Sequence, residues 1–131
     1  MIGLSIYIGG SQTALKELQS ALSVKDKNCY DARDDRVDYT FFDREESAFQ
    51  YTPIDGDFQL AIDMYIFGIS EYDLESIFIK VSVLGNIIGV PDEESDDPFG
   101  FIVYKNGQKE KRFIKEIEDD GKEKIILSSG Y

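Results

Sequence analysis

Hydrophobic and polar positions change period several times along the chain. Residues 2–8 are mostly apolar and stop at Gly9-Gly10, which predicts a strand and a turn. Ser11 is suited to cap a helix, and Leu15, Leu18 and Leu22 follow at helical spacing, so the chain opens strand, turn, helix. Residues 24–36 are dense in turn-forming Asp26, Asn28, Asp31, Asp34 and Asp35 and read as an acidic loop. Val37, Tyr39 and Phe41 alternate with Asp38, Thr40 and Phe42, the period of a half-buried strand. After a polar connection carrying Asp43, Glu45 and Glu46, residues 57–67 give the longest alternation, with Phe58, Leu60, Ile62, Met64 and Ile66 on one face of a strand.

Ser70 stands three residues before Asp73, an approximation to a capping box, and predicts a short turn or one helical turn over 70–76. Ile77, Ile79, Val81 and Val83 alternate again and predict a central strand. Residues 91–98, with Asp92, Glu93, Glu94, Asp96 and Asp97, read as a solvated loop. Asn106-Gly107 suits the two positive-φ positions of a type I′ turn, which sets Phe101 opposite Arg112 and Val103 opposite Glu110 in a hairpin whose polar tip projects into water. Asp120-Gly121 offers a second turn before a last strand at 124–127. The expected fold is α+β in one domain, 1–131. An N-terminal strand and helix precede an antiparallel meander, with the helix packed on one mainly antiparallel sheet of five or six strands. A half-open barrel is the alternative, because some strands carry aromatic residues on both faces.

Composition narrows the chemistry. The chain has no histidine and one cysteine, which excludes imidazole triads, zinc sites and paired-thiol redox chemistry. Carboxylates remain: Asp55 with Asp57, the Asp31/Asp34/Asp35/Asp38 group, and the run from Asp92 to Asp97. None has the spacing of a glycosidase pair or a calcium loop, so no catalytic residue, metal or cofactor is assigned. Gly9-Gly10-Ser11 lies where a phosphate can bind a helix start but lacks the nucleotide-binding patterns, and reads as a turn and cap. Cys29 sits among acids that raise a thiol pKa, an unreactive setting. Lys105, Lys109, Lys111, Arg112 and Lys115 form a basic cluster interleaved with Glu110 and Glu116, read as edge-strand charge rather than a nucleic-acid surface.

Charge placement changes the picture most. Twenty-six acidic residues face 14 basic ones, for a net charge of −12. Residues 1–104 carry 20 acids against seven bases, and residues 105–131 carry six against seven. Such a field repels nucleic acid and membrane surfaces and attracts basic partners. The segment from Tyr30 to Tyr39 mixes carboxylates, tyrosines and arginines, a composition suited to an interface. The expected partner-binding residues are therefore Tyr30, Asp31, Asp34, Asp35, Asp38, Tyr39 and Asp43, together with Asp92, Glu93, Glu94, Asp96 and Asp97. One continuous acidic interface requires both segments on one face.

In size, acidity and lack of catalytic residues the chain resembles the immunity proteins of bacterial toxin systems, including those of contact-dependent growth inhibition and, more remotely, the nuclease inhibitor barstar. The resemblance covers the profile of the whole chain and rests on no motif. It implies a cytoplasmic, non-enzymatic inhibitor whose negative, aromatic-bearing surface plugs the substrate cleft of a basic toxin, a nuclease domain in particular. A reducing, cytoplasmic location also follows from the single Cys29 and from a start without a basic, apolar leader. The competing readings are a nucleic-acid mimic that blocks a host enzyme, a carboxylate-dependent enzyme, and a structural subunit of a larger assembly.

Overall fold

Ile6 and Ile8 point to one side of the first strand, β1 (Ile2–Gly9), and Tyr7 points to the other. Both sides of this strand are packed, and the fold has two cores. The computed structural model describes residues 1–34 and 39–130. Along the chain β1 is followed by α1 (Ala14–Ala21), a 3-10 turn (Asp26–Asn28), β2 (Cys29–Asp31), a second 3-10 turn (Tyr39–Phe41), β3 (Ala48–Pro53), β4 (Asp55–Gly56) and β5 (Leu60–Ile66). Then come α2 (Glu71–Ser82), β6 (Ile87–Pro91), β7 (Gly100–Lys105), β8 (Gln108–Asp119) and β9 (Lys122–Gly130). The strands form one nine-stranded sheet in the order β2-β3-β5-β1-β6-β7-β8-β9-β4, antiparallel except for the outermost pairs β2–β3 and β4–β9.

The result is an α+β fold with helices packed on an open sheet, as expected, with more strands than the five or six expected. The larger core lies under the helices: Ile6, Ile8, Ile62, Met64, Ile66 and Ile88 meet Leu18 and Leu22 of the first helical segment and Leu74, Phe78 and Val81 of the second. The smaller core, on the opposite face, joins Ile54, Phe58, Phe101, Ile114 and Ile125. A single residue, Ile54, separates β3 from β4, although these strands stand far apart in the sheet order. The sheet therefore curls around the smaller core, which is the element of truth in the half-open barrel. Among the described residues no helix is long and apolar enough to cross a membrane.

Several local expectations are corrected. Residues 77–83 are not a strand, because α2 runs from Glu71 to Ser82 and buries Leu74, Phe78 and Val81 at helical spacing. Its N-cap is Ser70, whose Oγ accepts from the Asp73 N–H at 3.1 Å, so the capping signal was sound and marked a three-turn helix. Ser11 does not cap α1. Thr13 occupies that position, and Ser11 Oγ instead accepts from the Thr13 N–H at 3.1 Å. Gly10 takes φ +95° and sits so close to Gly85 that a Cβ would lie 2.4 Å from its carbonyl oxygen, which accounts for the Gly9-Gly10 pair as a turn.

The acidic stretch 24–36 is not all loop, since Cys29–Asp31 pairs with β3. Tyr39–Phe41 is a 3-10 turn rather than part of a strand; Val37 lies outside the described residues. Phe58 leaves the face of Ile62 and Met64 and enters the smaller core, where its ring stands over Gly89; a Cβ there would be 2.9 Å from Phe58 Cζ. The hairpin register is as expected, with Phe101 opposite Arg112 and Val103 opposite Glu110, and Asn106 and Gly107 at φ +53° and +76°. At its tip Lys105, Asn106 and Gln108 are exposed, as expected, but the turn is also anchored. Gly107 donates its N–H to Ser82 Oγ at 2.9 Å, docking the turn on the end of α2.

Candidate functional site

The sheet separates the two acidic segments. Register carries Asp31 to Tyr51, Tyr51 to Ile62 and Ile62 to Ile6, while Tyr7 faces Gly89. β2 therefore runs toward the Gly9 end of β1, and β6 runs toward the Ile2 end. The segments that follow these strands leave the sheet at opposite ends. Between β2 and β6 lie β3, β5 and β1, a lateral distance of roughly 19 Å at about 4.8 Å per strand. Among the described residues of the two segments, Asp31 and Asp34 on one side and Asp92, Glu93, Glu94, Asp96 and Asp97 on the other, no single acidic interface is formed.

At the β2 end, Tyr30, Tyr39, Phe41, Phe42 and Tyr65 form an aromatic cluster with ring centroids 4.4–6.2 Å apart. Two of the carboxylates beside it, Asp31 and Glu46, are compensated locally. Arg33 grips Asp31 through Nε at 3.0 Å and Nη2 at 2.6 Å, and this guanidinium holds the Asp31 carboxyl down at about 2. Glu46 takes Lys25, Arg44 and, at 3.8 Å, Lys27, with Lys25 and Arg44 bringing its carboxyl to about 2. Asp34 follows Asp31, its N–H donating to the Asp31 carbonyl at 2.9 Å, and Asp43 is exposed beyond the 3-10 turn. Asp35 and Asp38 lie outside the described residues.

At the other end, Asp92, Glu93 and Glu94 enter a cleft of about 740 Å³ between α2, the first residues of β1 and the β6–β7–β8 strands. Leu4, Leu74, Phe78, Val90, Ile102 and Tyr104 supply its apolar floor. Its lining holds six carboxylates, Glu71, Glu75, Asp92, Glu93, Glu94 and Glu110, the last paired with Arg112 at 2.8 Å, against the ammonium groups of Lys109 and Lys111 and the Met1 amine. Glu71 and Glu75 share a face of α2 because residues four apart stack on a helix. Burial, with Glu75 nearby, pushes the Tyr104 hydroxyl up to about 12, so the floor carries a neutral phenol.

The 91–98 loop is solvated only in part. Asp92 is 7% exposed; its Oδ1 accepts the Glu94 N–H at 3.1 Å and its Oδ2 lies 3.9 Å from Lys111 Nζ. Asp97 Oδ1 accepts the Phe99 N–H at 2.9 Å and Ser95 Oγ accepts the Asp97 N–H at 3.2 Å, which fixes the loop's shape. Asp96 and Asp97 are exposed and do not line the cleft.

The remaining candidates have structural partners. Asp57 Oδ2 accepts the Leu127 N–H at 2.7 Å and Asp55 meets Lys122 at 3.1 Å, so this pair fastens the edge of β9. Burial, then Asp26, pushes the Cys29 thiol up, as its acidic setting implied. Glu116 and Glu123 stand near Tyr7 on the face away from the helices; partial burial and Glu116 raise the Glu123 carboxyl, and partial burial with Glu123 and Glu116 raises the Tyr7 hydroxyl strongly. Among the described residues no group of three or more acidic or thiol side chains could hold a metal ion.

Glu71, Glu75 and Glu110 were missed from sequence. The available signal was the pair of acids four residues apart directly after the Ser70 cap. Comparison with protein-family models, with curated proteins and with solved structures found no match.

Proposed function

We propose that this chain is a non-enzymatic binding protein that receives a basic segment of a partner protein in the cleft beneath α2, and so neutralises that partner. The observation that carries this reading is the combination of an acidic lining, with Glu71, Glu75, Glu93 and Glu94 in excess over the amines, and an apolar floor. Carboxylates steer and orient a cationic partner, while buried apolar contact supplies affinity. The apolar floor favours protein side chains over the alternative of a nucleic-acid mimic, which needs a phosphate-like array and no greasy seat. The resemblance to toxin immunity proteins makes the partner a basic toxin domain, a nuclease in particular, met in the cytoplasm.

The test is affinity capture from the source cells with the native chain and with a Glu71→Lys, Glu75→Lys, Glu93→Lys, Glu94→Lys variant. A basic protein retained by the native chain, released by salt, lost by the variant and silenced in its own toxic activity by the native chain is the expected result. Equal retention by both chains would refute the cleft as the seat of binding.

A further inference from the structure

β1 is paired unequally on its two sides. From Ile2 to Ile8 it is matched with β5, but with β6 only Tyr7, Ile8 and Gly9 are matched. Among the described residues, Ile2–Ile6 are therefore matched to a strand on one side only, β6 parting from β1 after Gly89. In an antiparallel ladder every second residue turns its N–H and C=O away from a given neighbour, so this stretch offers a row of main-chain groups to a further strand. Pro91, without an N–H, ends β6 where the ladder would have continued.

The open edge borders the cleft: Ile2, Gly3 and Leu4 form one of its walls. Gly3, on this wall, is exposed. Five residues of strand span about 13 Å at roughly 3.3 Å per step.

Resting on the binding function proposed above, we infer that the partner's basic segment enters as an extended strand, added to the Ile2–Ile6 edge of β1. Main-chain hydrogen bonds supply affinity in this mode, and alternate side chains supply selectivity. Apolar residues of the incoming strand settle against Leu74, Phe78 and Ile102, and its cationic residues meet Glu71, Glu75, Glu93 and Glu94 at the rim. The occupant is thus a protein segment that alternates apolar and cationic residues. An amphipathic helix would use the same charges but leave the edge unpaired.

The experiment uses the full chain and a synthetic ten-residue peptide alternating arginine and valine, followed by calorimetry and by amide hydrogen exchange. Two further peptides carry backbone N-methyl groups at every second residue, one in each register. The expected result is binding by the parent peptide with slowed exchange within residues 2–6. One methylated register should bind at least about tenfold more weakly, the other within about threefold, because two or three hydrogen bonds of about 1 kcal/mol are lost in only one of them. Binding that is weakened by the four-lysine variant, yet leaves exchange at 2–6 unchanged or makes both methylated registers equal, overturns strand addition and leaves the cleft function standing. Failure of every peptide to bind overturns strand addition and counts against the cleft function as well.

Discussion

Lys109 crosses the cleft: carried by β8, its Nζ lies 2.8 Å from Oε1 of Glu75 on α2. The pair is about half exposed, a setting in which solvent screens an ion pair and leaves it little weight in folding. Lys109→Met is therefore expected to leave the urea unfolding midpoint nearly unchanged, while uncovering Glu75. The same variant should bind a basic peptide several-fold more tightly at low salt. Weaker binding would mean that Lys109 shapes the cleft instead of occupying it.

Phe58 is 1% exposed at the centre of the smaller core. Phe58→Ala is expected to cost about 3–5 kcal/mol, the usual range for emptying an aromatic site in a packed core, measured by denaturant unfolding. Gly89→Ala should also destabilise the fold, because its methyl group would meet the Phe58 ring. A loss below about 1 kcal/mol in Phe58→Ala would show that the smaller core adds little to folding.

Ser70→Ala removes the side-chain cap of α2 and is expected to cost about 1 kcal/mol, with Ser70→Asp near neutral. Because α2 carries Glu71 and Glu75, the alanine variant should also weaken binding in the cleft, and thermal unfolding and peptide titration should move together.

Asp31 and Glu46 have folded-state values of about 2, below their ordinary values of 3.8 and 4.5. A depressed carboxyl pKa contributes stability that is full above the unfolded value and is lost as pH falls through the folded one. Stability should therefore decline as pH is lowered from about 4.5 toward 2, and NMR titration of the two carboxyls should give midpoints well below those of exposed acids. Arg33→Gln should return Asp31 toward its ordinary value and leave Glu46 unchanged.

Legibility in the sequence followed how local each determinant is. The β7–β8 register was readable to the residue because Asn106-Gly107 admits one turn geometry, and that turn fixes every pair behind it. Ile77, Ile79 and Val81 misled because they occur at every second position while belonging to a helix whose buried contacts, Leu74, Phe78 and Val81, repeat at three and four. β2 and β3 were not seen: Cys29–Asp31 is three residues long, and Ala48–Pro53 has meaning as a strand only through its partner β5. The site was half visible for the same reason. Asp92, Glu93 and Glu94 stood out as charge, whereas Glu71 and Glu75 join them only once α2 is folded across the sheet. The compensation of Asp31 by Arg33 lay in the sequence two residues away, hidden by counting charges without pairing them.

The short link between β3 and β4 bears on how the chain reaches its final form. Asp55, Gly56 and Asp57 contact Lys124, Ile125 and Leu127, some seventy residues later. During synthesis these early residues wait, their partners not yet made, and the smaller core around Phe58 lacks Ile125 until β9 leaves the ribosome. Contacts this distant slow folding, because a long loop must be closed before its pairing is rewarded. Refolding should accordingly end in a late step that completes the smaller core around Phe58, after the helices have settled on their own face of the sheet.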